Sequence, residues 1–198
     1  MRHWDRRAPT YDKSMDRVER RLFGDSRAWV CSRARGRTLE IAIGTGANLP
    51  HYPDSVVLTG VDFSGPMLDL AQDRANDLRR DISLDRADAM ALPYAGATFD
   101  TVVATFSLCC VPDVRAVLTE ALRVLRPGGR LLLADHVQAA TLPLRVLQRA
   151  ADLVTVRWHG EHFSRRPLLV LRQLEVEVIE SDRLSKGIVE RVQATKGT

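Results

Sequence analysis

Short apolar runs of two kinds alternate along this chain. Thr38–Ile43, Val56–Asp62, Ile82–Arg86, Thr101–Thr105 and Arg130–Asp135 are of strand length and carry Val, Ile, Leu and Thr. Between them Pro66–Asn76 and Asp113–Leu125 place apolar residues at helical spacing, and the second is closed by Arg126-Pro127-Gly128-Gly129, a run that no helix continues through. Strands alternating with helices predict a parallel sheet with helices on both faces. Further on, the pattern predicts a helix around Leu142–Val156 and two strands, Leu174–Ser181 and Gly187–Ala194, closing a hairpin around Asp182–Lys186. The expected fold class is therefore α/β, a Rossmann-like doubly wound sheet of seven strands, mostly parallel, with an antiparallel C-terminal hairpin strand. Ahead of it, a helical arm from about Asp12 to Arg33 sets Met15, Val18 and Leu22 at helical spacing, a stripe expected to pack as a lid.

Composition narrows the class. The 198 residues suffice for one domain with a sizeable core and are too few for two ordinary ones. No apolar run approaches the roughly 20 residues of a membrane span, and the Arg-rich start lacks the apolar centre of a signal peptide, so a cytoplasmic protein is expected. Cys31, Cys109 and Cys110 are odd in number and lack zinc-ligand spacing, which argues against a disulfide framework and predicts no metal site.

Charge is uneven beneath the net value of +4. Residues 1–37 hold eleven Lys and Arg against five acids, whereas the rest of the chain is slightly acidic. That basic stretch reads either as a solvated helix face or as attraction to an anionic membrane surface or acidic substrate. It lacks the aromatic interleaving of a nucleic-acid platform, so no nucleic-acid partner is expected. The expected partner is a small-molecule substrate, with peripheral membrane contact through the arm as the sharper alternative, in a monomer or homodimer.

The most specific chemistry lies in Thr38-Leu39-Glu40-Ile41-Ala42-Ile43-Gly44-Thr45-Gly46-Ala47-Asn48, followed by Gly60-Val61-Asp62-Phe63-Ser64. Two close glycines at a strand end let backbone approach a ligand, and an acid ending the next strand can bind ribose hydroxyls. A dinucleotide fingerprint needs a third glycine three residues after Gly46, where Leu49 stands, and no GxxxxGK[ST] run is present. A cofactor with ribose and adenine but no phosphates, such as S-adenosylmethionine, fits these residues better than a dinucleotide does. This weighs against a nucleotide-dependent oxidoreductase. A binding module without catalysis is opposed by the His and Arg residues after position 158.

From about Tyr11 to the C-terminus the chain resembles the class I S-adenosylmethionine-dependent methyltransferases. Their acid-x-G-x-G-x-G motif reads Glu40-Ile41-Ala42-Ile43-Gly44-Thr45-Gly46 here, with Ala42 in place of the first glycine. The resemblance divides the chain into a basic helical arm or lid (1–37) and a methyltransferase domain (38–198). It implies that Asp62 binds the ribose hydroxyls and that Asp88 accepts from the adenine amino group. Ala89 would lie beside the ring, with Phe63 and Met90 as apolar walls. Glu40 would hold the loop around the methionine end, and Gly44, Thr45, Gly46, Asn48 and Met67 are counted among the cofactor-binding residues. Tyr11 and Asp12 match a Tyr-Asp pair of the arm, Ser64 follows the ribose acid, and Thr105, Phe106 and Ser107 would pass the sulfonium.

Leu108-Cys109-Cys110, with Ala134-Asp135-His136-Val137, is similar to the methyltransferase-like small thiol methyltransferases and, more distantly, to the ubiquinone and menaquinone C-methyltransferases. The implied acceptor is a small, apolar molecule, a small thiol or other metabolite. A quinone ring or a phospholipid amine at a membrane surface is the alternative. Methyl transfer needs mainly alignment and exclusion of water; for an acceptor that carries a proton, His136, His159 and His162 are the candidate bases. Arg165 and Arg166 could supply a positive field for a thiol. The arm and the segment Leu142–Pro167, with Trp158 and Phe163, are expected to cover the cofactor together.

Overall fold

The computed structural model describes residues 2–159, 162, 164–174 and 176–197, with side chains described for all of these except 2, 3, 16–18, 20 and 153–159. The strands are β1 (Arg37–Ile41), β2 (Val57–Asp62), β3 (Ile82–Arg86), β4 (Phe99–Thr105), β5 (Leu125–His136), β6 (Val176–Leu184) and β7 (Val189–Lys196). They form one sheet in the order β3-β2-β1-β4-β5-β7-β6. The first five pair in parallel, and β7 runs antiparallel between β5 and β6.

The central strands read as continuous apolar runs because both faces are covered. Leu39, Val102 and Leu131 pack into one core, whereas Leu58, Val103 and Leu132 pack into the other. Adjacent residues such as Val102 and Val103 point to opposite faces, so each strand serves both cores. Two helices follow the expected signals. In α4 (Gly65–Asp77), Met67, Ala71 and Ala75 recur every four residues as its buried seam. In α5 (Val114–Val124), the Asp113 carboxylate caps the start by accepting from Arg115 and Ala116 N–H at 2.8 and 3.1 Å.

The expected boundaries shift for local reasons. The first strand stops at Ile41, because Ala42 turns the chain at φ +54°. Arg126–Gly129 ends the helix as expected, yet the chain passes straight into β5, with a register irregularity where Phe99 pairs with Leu125 and Thr101 with Arg130. The closing hairpin turns at Ser185–Gly187, at the late edge of the span foreseen.

The arm departs furthest. It is broken into α1 (Arg2–Arg7), α2 (Tyr11–Val18) and α3 (Ser26–Cys31), joined by a 3₁₀ turn at Ala8–Thr10 and a π turn at Glu19–Phe23. A π turn inserts a residue into the helical register, so Phe23 is buried and Leu22 exposed, against the expected Met15, Val18, Leu22 stripe. Met15 does pack against the core; the Val18 side chain lies outside those described.

Candidate active site

The strand order reverses between β1 and β4, the place where open α/β sheets leave a crevice beyond their carboxyl ends. A cavity of about 460 Å³ opens there. Its floor is backbone. Gly44 adopts φ +57° and Gly46 φ +74°; space beside Gly44 is open, whereas a Cβ on Gly46 would stand 2.9 Å from Leu49 and 3.2 Å from the α4 backbone at Ala71. Gly44 leaves room for a ligand, and Gly46 lets strand and helix close up.

Asp62 ends β2 with a carboxylate that is 8% exposed. Its Oδ2 accepts from Gly44 N–H and its Oδ1 from Ser64 N–H, each at 2.9 Å. Burial raises its pKa, against the lowering effect of these amides. A carboxylate oxygen accepts more than one hydrogen bond, so both retain acceptor capacity toward the cavity for paired hydroxyls. Beside it Phe63, Met67, Ala89 and Met90 form an apolar slot with Asp88, whose Oδ1 accepts from Met90 N–H at 2.8 Å.

At the end of β4 Phe106 sits at φ +50°, its ring stacked on Phe23 with centroids 3.7 Å apart and the Arg27 guanidinium over it at 5.0 Å. Thr105, Phe106 and Ser107 line the cavity, and Ser107 Oγ is buried without a hydrogen-bond partner. Behind the floor lies a closed polar network. Glu40, 2% exposed, accepts from Asn48 Nδ2 at 2.7 Å and from the Tyr52 hydroxyl at 2.9 Å. Burial pushes its carboxyl up to about 7, against these donors. Asn48 Nδ2 also donates to Thr105 at 2.8 Å, and its Oδ1 accepts from Arg27 at 2.9 Å.

The roof comes from the arm. Trp4, Tyr11 and Arg27 line the cavity from α1, α2 and α3. Trp4 meets Tyr11 edge-on with centroids 6.0 Å apart. Charged contacts tie the arm down: Ser64 donates to Asp5 at 2.6 Å, Thr45 to Asp12 at 2.7 Å, Arg74 pairs with Asp12, and Arg27, itself paired with Glu19 inside the arm, donates to Asn48 at 2.9 Å and Thr105 at 3.1 Å. Burial raises the Tyr11 pKa, so its phenol stays protonated.

Of the residues expected at the cofactor, Tyr11, Ala42, Gly44, Thr45, Asp62, Phe63, Met67, Asp88, Ala89, Met90, Thr105, Phe106 and Ser107 line the cavity. Glu40, Gly46, Asn48 and Ser64 stand behind that lining and brace it. Trp4 and Arg27 were missed: Arg27 was counted into the basic arm, and nothing local distinguishes it from its solvated neighbours. Two of the three candidate bases, His136 and His162, lie outside the cavity lining. His136 lies beside Asp135, Nδ1 to Oδ1 3.4 Å, and no lining residue is a histidine. His162 donates its backbone N–H to the Cys109 carbonyl at 2.9 Å, and burial, then Arg165, lowers its imidazole pKa. The His159 and Trp158 side chains, and Phe163, lie outside those described. Among the described residues, none of 142–167 lines the cavity, which the arm and the Cys110–Pro112 turn cover instead.

The cavity fits an adenosine cofactor without phosphates. It offers a carboxylate for paired hydroxyls, an apolar slot beside an acid, an unsatisfied serine hydroxyl and an open glycine turn.

Comparison with known proteins agrees. Residues 39–133 match the family described as Methyltransferase domain. A phosphatidylethanolamine N-methyltransferase from Cereibacter sphaeroides is 34% identical over 181 residues, which is 89% of this chain and 87% of that protein. A demethylmenaquinone methyltransferase from Renibacterium salmoninarum is 34% identical over 148 residues, 71% of this chain and 60% of that protein. The fold is also that of a SAM-dependent methyltransferase from Thermotoga maritima, with a TM-score of 0.72 and 22% identity over 99% of this chain and 100% of that one. With family, fold and cavity in agreement, the chain belongs to the class I S-adenosylmethionine-dependent methyltransferases.

Proposed function

We propose that the methyl acceptor is the amine of a phospholipid headgroup, taken from a membrane surface. The observation that carries this reading is the outer face of α6 (Leu142–His159). There Leu142, Val146 and Leu147 are 72%, 60% and 65% exposed beside the exposed Arg149. Apolar side chains flanked by a cation suit an interface between acyl chains and anionic headgroups. Among the described residues no helix is long and apolar enough to cross a membrane, so this contact would be peripheral. The Cereibacter relative, whose match covers nearly the whole chain, supports the same acceptor class. A small thiol, suggested by Leu108-Cys109-Cys110, has no counterpart in the relatives above.

In this reading Asp62 holds the ribose, Asp88 and the Phe63, Met67, Ala89 and Met90 walls hold the adenine, and the Gly44–Gly46 turn, braced by Glu40 and Asn48, holds the methionine end. S-adenosylmethionine supplies an electrophilic methyl group on a sulfonium. The chain's part is to align the acceptor lone pair and exclude water, with Trp4, Tyr11 and Arg27 closing the roof. An ammonium acceptor must first shed its proton, since only the neutral amine carries the attacking lone pair.

The test is label transfer from methyl-labelled S-adenosylmethionine to vesicles containing phosphatidylethanolamine, beside a demethylquinone and a small thiol. Label in the lipid amine, reduced when Leu142 and Leu147 are both changed to Glu, is the expected result. Label in the thiol or quinone and none in the lipid overturns it.

A further inference from the structure

Two sulfur atoms stand where the cavity meets the core. Cys109 and Cys110 end the turn after β4 with their Sγ atoms 3.3 Å apart; Cys109 is 1% exposed, and Cys110 lines the cavity. Behind Cys109, the next strand ends in Asp135 and His136. The Cys109 Sγ, an Asp135 oxygen and a His136 nitrogen lie within 4.8 Å of one another. The sequence hides this grouping, because 25 residues lie between Cys109 and Asp135 and only the parallel pairing of β4 with β5 brings their ends together.

From this juxtaposition we infer that Cys109, Asp135 and His136, completed by Cys110, form a binding site for a thiophilic divalent cation of the zinc type. The donor set is one such ions choose: thiolate, imidazole and carboxylate in fourfold arrangement. Two sulfurs each about 2.3 Å from one ion stand roughly 3.3–3.8 Å apart for bond angles near 90–110°, and the Cys109–Cys110 separation lies at the lower end of that span. The Cys109, Asp135 and His136 donors already lie within 4.8 Å of one another, and Cys110 joins them through its contact with Cys109, swinging in to complete the set.

A second observation points the same way. Asp135 is 3% exposed; its Oδ2 accepts from Leu108 N–H at 2.7 Å, and its Oδ1 faces His136 Nδ1 at 3.4 Å. A carboxylate buried this deeply carries a desolvation cost that a cation would offset. Two thiolates and one carboxylate around a divalent ion leave one negative charge. Arg165, which donates to the carbonyls of Leu108 at 3.0 Å and of Val111 and interacts electrostatically with Cys109, Cys110 and Asp135, offsets it. On binding, both thiols lose their protons to solvent and His136 ligates as neutral imidazole, so no electrons are exchanged.

Metal-stripped, reduced full-length protein titrated with Co²⁺ should develop a thiolate-to-cobalt charge-transfer band that saturates at one equivalent and is displaced by Zn²⁺. Cys109→Ser should raise the zinc Kd by about 100-fold or more, and His136→Gln, a milder change to the fold, by about tenfold or more. Cys110→Ser should weaken the band. Absence of the band in the parent protein, or an unchanged zinc Kd in folded His136→Gln, overturns the site.

Discussion

The floor of the cavity is held by backbone and its roof by side chains. On the floor, Gly44 and Ser64 N–H groups fix Asp62, and the turn that carries them is set by two strand ends bonded to each other along their length. In the roof, Trp4, Tyr11 and Arg27 come from three short helices, none longer than eight residues, that hold to the domain by side-chain packing of Met15, Phe23, Val30 and Cys31 and by charged contacts such as Arg74 with Asp12. Isolated helices of that length are not stable in water. The floor is therefore formed before a ligand arrives, whereas the roof depends on long side chains that keep partners across the cavity. Such an arrangement lets the arm open for exchange while the strand ends stay in place.

The largest effect expected is on the network that joins the two, through Glu40. Its carboxyl is raised from 4.5 to about 7 in the folded protein, so between these values the folded state holds a proton that the unfolded chain has released. Glu40 thus favours folding fully below about 4.5, and that contribution is lost as pH rises through about 7, on the order of 3 kcal/mol in all. Thermal unfolding of the parent protein and of Glu40→Gln should diverge over this window, with the parent losing stability relative to the variant as pH rises. Parallel pH profiles would mean that Glu40 ionises as an ordinary carboxyl.

The contrast itself is sharpened by one change on each side. Asp62→Ala should weaken S-adenosylhomocysteine binding by about 1.5–3 kcal/mol, the range for hydrogen bonds to a charged acceptor, with the arm still closed. Arg27→Met should also weaken binding, and in addition release the arm: Glu19 loses its partner at 2.5 Å and Asn48 and Thr105 lose a donor. Hydrogen exchange over residues 2–31 separates the two, rising in Arg27→Met and unchanged in Asp62→Ala. Equal exchange in both variants would erase the distinction between floor and roof.

The same contrast explains what the sequence discloses. Strand ends, glycine turn and ribose acid follow from local pattern, since a short apolar run, a glycine pair and the next strand's terminal acid occupy neighbouring positions by topology alone. The expectation of an α/β sheet with an antiparallel hairpin was of this kind, and so was Asp113 as the start of α5. Arg27, Trp4 and the π turn that buries Phe23 in place of Leu22 are not, because each depends on a partner far along the chain or on a one-residue slip that composition does not register. Cys109 beside Asp135 and His136 belongs with these: its partners become neighbours only through strand pairing.

The smallest effect bears on the floor's one departure from its family's motif. Ala42 stands where a glycine is usual, and its φ of +54° places it in the left-handed region. There an alanine methyl crowds the backbone by roughly 1–2 kcal/mol, while a glycine gives back roughly 0.5–1 kcal/mol in unfolded-state entropy. Ala42→Gly should therefore stabilise the protein by about 0.5–1 kcal/mol, read as a higher midpoint in urea with an unchanged slope. Because the methyl also lines the cavity, its removal widens the space near Gly44 without touching Asp62. A fall in stability would show that the methyl's packing against the neighbouring core outweighs its strain, and would make the alanine a structural feature of the floor in its own right.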